Sequence, residues 1–239
     1  MSLLIADRLY KMRETVSIDD ISLHLDPGEI LALIGGPGSG KSTILDMIGG
    51  QLRPDCGRIR LGGPSADDDI TRASPRTISR LGVGRSFQRP AVFGSMTVRE
   101  NVQTTILSAC DQLTRWWRPA RRFHRSRADL LLHRVGLLDH ADRAPADLTP
   151  ALIRRLDLAL ALAHRPRLLL LDEPTADLTE PDALVLKTLI RDLATNDGIA
   201  ILWAESDIHI VLGTADRILT IASPALASSL DRSGKTGHR

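Results

Sequence analysis

Two short stretches of this chain carry residue types suited to handling phosphate and a hard metal ion. The first runs Gly35-Gly36-Pro37-Gly38-Ser39-Gly40-Lys41-Ser42-Thr43, after the apolar run Ile30–Ile34. Gly35, Gly40, Lys41 and Ser42 meet the pattern G-x-x-x-x-G-K-S/T in a strand–loop–helix setting. Glycines let the backbone turn tightly and bring several N–H groups close to a phosphate. A helix starting near Lys41 adds the positive end of its dipole. The Lys41 ammonium can neutralise terminal phosphates, and the Ser42 hydroxyl suits magnesium. A glycine-rich turn without a ligand is the plain alternative. The chain has 18 glycines but only four lysines, so the pattern seldom arises by chance. A second Gly-Lys-Thr, at 234–236, has Ser229 where the first glycine should stand and does not match.

The second stretch is Leu168-Leu169-Leu170-Leu171-Asp172-Glu173-Pro174. A short, continuous apolar run closed by proline predicts a parallel strand buried on both faces. In a doubly wound sheet its carboxyl end lies on the same edge as the phosphate loop. Asp172 would then hold magnesium, directly or through water, and Glu173 would polarise a water for in-line attack on the terminal phosphate. Asp-Glu-Pro could merely end a strand, but the pairing with a phosphate loop about 130 residues upstream argues against that.

The elements that must position these residues follow from periodicity. Residues 1–34 alternate in short runs, broken by Asp26-Pro27-Gly28, and predict β-strands and a turn. A helix from Lys41 to near Gly49, a strand over Gly57–Gly62, a polar loop at 63–75, a short helix over Arg76–Leu81 and a strand over Gly82–Phe87 come next. From Val92 to about Leu148 the spacing turns helical: Val98–Leu107 is amphipathic, and Leu130, Leu131, Leu132 and Val135 predict one apolar stripe. Thr149-Pro150 is a good helix start, Thr as N-cap and Pro in the first turn, for a helix ending near Ala163. A helix over Glu180–Ala194 and strands over Gly198–Ala204 and Arg217–Ile221 complete an α/β doubly wound core. The predicted division is one domain over 1–221, with core segments 1–90 and 151–221, a helical insertion at 91–150, and a loose tail from Ala222.

Composition narrows the function classes. Hydrophobic residues are 43% and charged residues 25% of 239, ordinary for a soluble globular protein. The net charge of +2 gives no general pull toward nucleic acid or acidic lipid. Cys56 and Cys110 fit no metal or redox spacing. The chain has no apolar run of about 18 residues to span a bilayer and no signal-peptide pattern, so a cytosolic protein is expected. Arginine and tryptophan interleave at Arg115–Arg125, a composition that can bind single strands by charge and stacking. Balanced charge elsewhere favours an exposed turn or a partner contact there, and no nucleic acid partner is expected.

With these residues in place, the chain resembles the ATP-binding subunit of an ABC transporter along nearly its whole length to about residue 221. Gly35–Thr43 correspond to the Walker A motif, Leu168–Asp172 to Walker B, and Glu173 to the catalytic glutamate. Gln88 corresponds to the Q-loop glutamine, which in the family reaches magnesium and contacts the membrane subunit. The stretch around it, with Ala73–Gly82 ahead, resembles importers for branched-chain amino acids and urea. The implied fold is a P-loop core with an antiparallel β subdomain and a helical subdomain. The implied ligands are ATP and Mg2+, the metal held by Ser42, Gln88 and Asp172. The adenine-stacking position falls at Met12, two residues from Tyr10.

Departures from the family pattern are concentrated elsewhere. Its Leu-Ser-Gly-Gly-Gln signature aligns with Leu148-Thr149-Pro150-Ala151-Leu152, where Pro150 removes an N–H and Ala151 adds a Cβ. The switch histidine aligns with Ser206, and Ala176–Thr179 is atypical of the family's D-loop. The resemblance thus carries two expectations. One is the ATPase of an importer, peripheral on the inner face of the membrane through permease subunits and working as a homodimer or with a second ABC ATPase. The other is a hydrolysis-impaired subunit that binds ATP as a heterodimer partner or regulator. Permease docking is expected around Gln88 and the insertion, with Val92, Phe93 and Met96 as apolar contacts and Trp116 and Trp117 as further candidates.

Overall fold

The computed structural model describes residues 2–12, 17–62, 68–86, 91–109 and 124–221. Gln88, Cys110, the Trp116–Trp117 pair and the tail from Ala222 lie outside the described residues. Two sheets organise the chain. Strands β1 (Leu4–Met12), β2 (Ser17–Leu25), β4 (Cys56–Leu61) and β5 (Asp68–Asp69) form an antiparallel sheet in the order β2-β1-β4-β5. Strands β3 (Ile30–Ile34), β6 (Val83–Arg85), β7 (Leu168–Asp172), β8 (Ala200–Glu205) and β9 (Arg217–Thr220) form a parallel sheet in the order β6-β7-β8-β3-β9.

The central parallel strands are apolar at nearly every position because both of their faces are covered. Side chains alternate across a strand, and the core divides accordingly. Ile30, Ala32, Leu169, Leu171, Ile201 and Trp203 face one cluster, which the helices α3 (Val98–Ala109), α4 (Arg125–Arg134), α5 (Pro150–Leu162) and α6 (Glu180–Asp197) complete. Leu31, Leu33, Leu168, Leu170, Leu202 and Ala204 face the other, with α1 (Lys41–Ile48) and the apolar face of the antiparallel sheet. Among the described residues, Trp203 is the largest side chain that is fully buried. The α1 helix therefore sits between the two sheets.

Helix ends follow their local chemistry. Thr149 caps α5 and Thr179 caps α6, each accepting from the backbone N–H three residues on, with proline in the first turn. Several sequence expectations need correction. The stretch at 63–75 is not wholly loop: β5 pairs with β4, and α2 (Pro75–Arg80) begins at Pro75 behind the Ser74 cap. Leu130 is 72% exposed, while Leu132 and Val135 are fully packed, so the stripe on α4 is narrower than its run of leucines suggests. Helical geometry explains this, since consecutive residues lie about 100° apart and cannot all face one core. A one-turn helix α7 (Ile208–Val211), capped by Asp207, has no counterpart in the periodicity. Of the three apolar docking candidates only Phe93 is exposed: Val92 packs against the core, and Met96 is half-buried beside Thr104.

Candidate nucleotide site

Strand order brings together residues that lie far apart in the chain. β8 runs between β7 and β3, with Ile34 opposite Glu205 and Asp172 opposite Ala204. Three carboxyl ends therefore stand side by side, and Gly35, Glu173 and Ser206 leave the sheet from adjacent positions. Backbone bonds stitch these exits together. Gly35 N donates to Glu205 O (3.4 Å) and Glu173 N to Ala204 O (2.9 Å).

The loop from Gly35 to Gly40 has the conformation its glycines permit. Gly38 (φ 76°) and Gly40 (φ 97°) lie in the left-handed region, which costs other residues steric strain. A Cβ at Gly36 or Gly38 would meet nothing within 4 Å, so their backbone faces open space. Residues 37–43, Glu173 and Ser206 line a cavity of ≈ 400 Å³. The Ser39 hydroxyl is buried within this loop and has no hydrogen-bond partner among the described residues. A buried, unpartnered polar atom is unfavourable unless a ligand or water satisfies it.

Lys41 is only 5% exposed, and its ammonium is enclosed by acceptors. Nζ donates to Gly35 O (2.5 Å), Gly36 O (3.2 Å) and Ser206 Oγ (3.3 Å), and lies 3.6 Å from Glu173 Oε1. Ser42 stands at the mouth of the loop and donates from Oγ to Asp172 Oδ1 (3.1 Å). Burial pushes the Asp172 carboxyl above the ordinary carboxylate range, opposed by the Ser42 bond and the positive charge of Arg85. A hydroxyl and a nearly buried carboxylate side by side form an oxygen donor pair that fits a magnesium ion. A bound cation would favour the charged form of this carboxylate. Glu173 holds a left-handed backbone (φ 45°), a conformation that non-glycine residues adopt at a cost of about 1–3 kcal/mol. Its amide bond to Ala204 and its carboxylate bond from Ser206 Oγ (2.5 Å) over-determine that position.

Lys41, Ser42, Asp172 and Glu173 are thus gathered at one sheet edge. Met12 lies at the end of β1, 64% exposed, with its amide bonded to Asp55 (3.0 Å), and does not line the cavity. Gln88 lies outside the described residues. Two contributors carry no motif. Arg85, on β6, donates to Asp46 (2.7 Å) and Gln51 (3.0 Å) and stands 3.9 Å from Asp172. Glu205 is buried at the end of β8, where its Oε1 accepts from the Thr175 hydroxyl (2.5 Å) and amide (3.4 Å) and from Trp203 Nε1 (3.2 Å). Burial raises the Glu205 pKa, against the pull of those bonds. A charged residue closing the apolar run of β8 is the only sequence signal for it.

The sequence pattern of the ABC transporter family matches residues 18–176. The chain belongs to that family. It is 34% identical to the high-affinity branched-chain amino acid transport ATP-binding protein LivG of Escherichia coli, over 86% of this chain and 82% of that protein. The methionine import ATP-binding protein MetN of Rhizobium etli is 35% identical over 87% of this chain and 55% of its own length. A solved nucleotide-free ATP-binding cassette from an ABC transporter superposes with a TM-score of 0.81 at 26% identity, covering 93% of this chain and 88% of that one. The P-loop ABC fold is established by these matches, and the chain is an ABC-type ATP-binding subunit. Its relatives are named for transport and import, which supports the importer ATPase and lends nothing to a hydrolysis-impaired subunit. None of the helices among the described residues is long and apolar enough to cross a membrane.

Proposed function

We propose that this chain is the ATPase of an ABC-type importer for small polar solutes, branched-chain amino acids being the candidate class given the similarity to LivG. Its partners would be a pair of permease subunits and a second ABC ATPase, either another copy or a relative, which hold it at the inner face of the membrane. Within the single domain proposed for 1–221, the segment 91–150 would be the helical insertion. One observation carries the reading: Lys41, Ser42, Asp172 and Glu173 converge on one sheet edge, at and beside one cavity.

In the proposed mechanism the backbone amides of residues 36–41 and the dipole of α1 cradle the phosphates of ATP. Lys41 turns from the Gly35 and Gly36 carbonyls toward the terminal phosphates and offsets their charge. Ser42 and Asp172, with Gln88, are the proposed magnesium ligands. Bound magnesium would draw charge from the phosphate oxygens in the transition state. Glu173 orients a water in line with the terminal phosphate and accepts its proton. Met12 is the proposed support for the adenine ring.

A groove of ≈ 290 Å³ opens between α2, β6 and α5, with Gln51, Ser79, Arg85 and His164 on its walls. Arg85 and Ala91, which line it, flank Gln88 in the sequence, and this supports permease docking at this face. The test is steady-state phosphate release by the purified chain, alone and with its permease. Magnesium-dependent turnover that Glu173→Gln abolishes is expected. Absence of turnover under both conditions would refute the ATPase reading.

A further inference from the structure

Three charged or polar groups in the cavity already satisfy one another. The Ser206 hydroxyl donates its single proton to Glu173 Oε1 (2.5 Å), and its oxygen accepts from Lys41 Nζ (3.3 Å). The same Glu173 oxygen lies 3.6 Å from Lys41 Nζ. A serine hydroxyl has one proton and two lone pairs, so it can bridge an ammonium and a carboxylate at once, as it does here. Ser206 and Glu173 both line the cavity of the phosphate loop, so the carboxylate that balances Lys41 sits where a phosphate would approach.

We propose that Ser206 is a positioning residue that holds Glu173 against Lys41, making this carboxylate an internal competitor of the nucleotide's phosphates. The inference rests on nucleotide binding at this loop. In the empty chain the bridge keeps Lys41 neutralised. A nucleotide must displace Glu173 from Lys41 before its own phosphate can take that place. Moving Glu173 off Lys41 also breaks its bond from Ser206, so the bridge opposes the incoming phosphate. The device therefore lowers nucleotide affinity. The strained backbone at Glu173 (φ 45°) is consistent with a side chain held by its contacts.

The experiment measures ADP binding to the full chain by calorimetry, a ligand that reaches Lys41 without any hydrolysis step. Ser206→Ala releases Glu173 from its anchor, so ADP affinity should rise about 3- to 10-fold, in line with the loss of one hydrogen bond to a charged group discounted for solvent exposure. Ser206→Thr keeps the hydroxyl and should restore the affinity toward that of the wild type. AMP, too short to reach Lys41, should bind equally to all three proteins. Unchanged or weakened ADP binding in Ser206→Ala would overturn the proposal, weakening being the mark of a serine that contacts phosphate directly. Lack of ADP binding by the wild type would instead remove the nucleotide site itself.

Discussion

Lys41→Met tests the phosphate loop most directly, and the structure sets the size of the effect. Methionine keeps the length of the side chain and its apolar stem but removes the ammonium. In the wild type that ammonium has four neighbours: two loop carbonyls, Ser206 and Glu173. A charge-assisted hydrogen bond to phosphate contributes about 1.5–3 kcal/mol, or roughly 10- to 100-fold in affinity. Binding also separates Lys41 from Glu173, and a pair with one partly exposed partner is worth at most about 1 kcal/mol. The net loss in Lys41→Met should therefore be about 0.5–2 kcal/mol, or about 2- to 30-fold weaker ATP binding. Calorimetry with ATP and excess magnesium reads it. The variant also leaves the Gly35 and Gly36 carbonyls without their donor, so a thermal melt and circular dichroism must first establish that it is folded. Equal affinity in a folded variant would refute the assignment of this loop to phosphate.

Three further outcomes follow from the packing and charge of the fold. Glu205 has a folded-state pKa raised by burial, so the native state holds its proton to higher pH than the unfolded chain; stability from this group is present at low pH and declines as pH rises above the ordinary glutamate range. Glu205→Gln keeps the acceptor for Thr175 and Trp203 but cannot ionise, so melting temperatures from pH 4 to 8 should fall less steeply with pH than in the wild type; parallel curves would contradict a buried, titrating carboxyl. Thr149→Ala removes the side-chain acceptor for the Leu152 amide and should cost about 1 kcal/mol in urea unfolding, without changing the dependence on urea. Leu169→Ala, fully buried in the middle of β7, should cost about 2–5 kcal/mol by the same measurement; a loss below about 1 kcal/mol would mean that the core there is not packed as described.

The sequence makes the phosphate loop and the Asp172–Glu173 pair legible because both lie within single short stretches whose residue types have few other uses. The buried strands β3, β7 and β8 are equally clear, since a sheet covered on both faces demands uninterrupted apolar runs. What the sequence hides depends on the order of strands. Nothing in the linear text says that β8 lies between β7 and β3, so Glu205 does not announce itself as a neighbour of Gly35, and Ser206 stands out only through the family resemblance. Arg85 is hidden for the same reason: its partners Asp46 and Gln51 belong to another segment. Short elements escape for a different one. β5 has two residues and α7 four, too few for any period to register.

The interleaving of β8 also explains why the site needs buried carboxyls at all. Lys41 is almost excluded from water, and an ammonium so placed is costly unless acceptors surround it. The loop can offer only two carbonyls, because its amides must stay turned toward a ligand. The remaining acceptors come from the ends of β7 and β8, and they must be close enough to hold the lysine yet weak enough to release it. Glu173, partly exposed and bridged by a serine, meets both conditions. Glu205 does not meet the second. It is buried at the end of β8 and fixed by Thr175 and Trp203, so it cannot exchange partners when a phosphate arrives. Its place is to hold the segment after Asp172 against the end of β8, which keeps Glu173 within reach of Lys41. One carboxyl is therefore held firm so that its neighbour can move, and the division follows from which of the two the sheet buries.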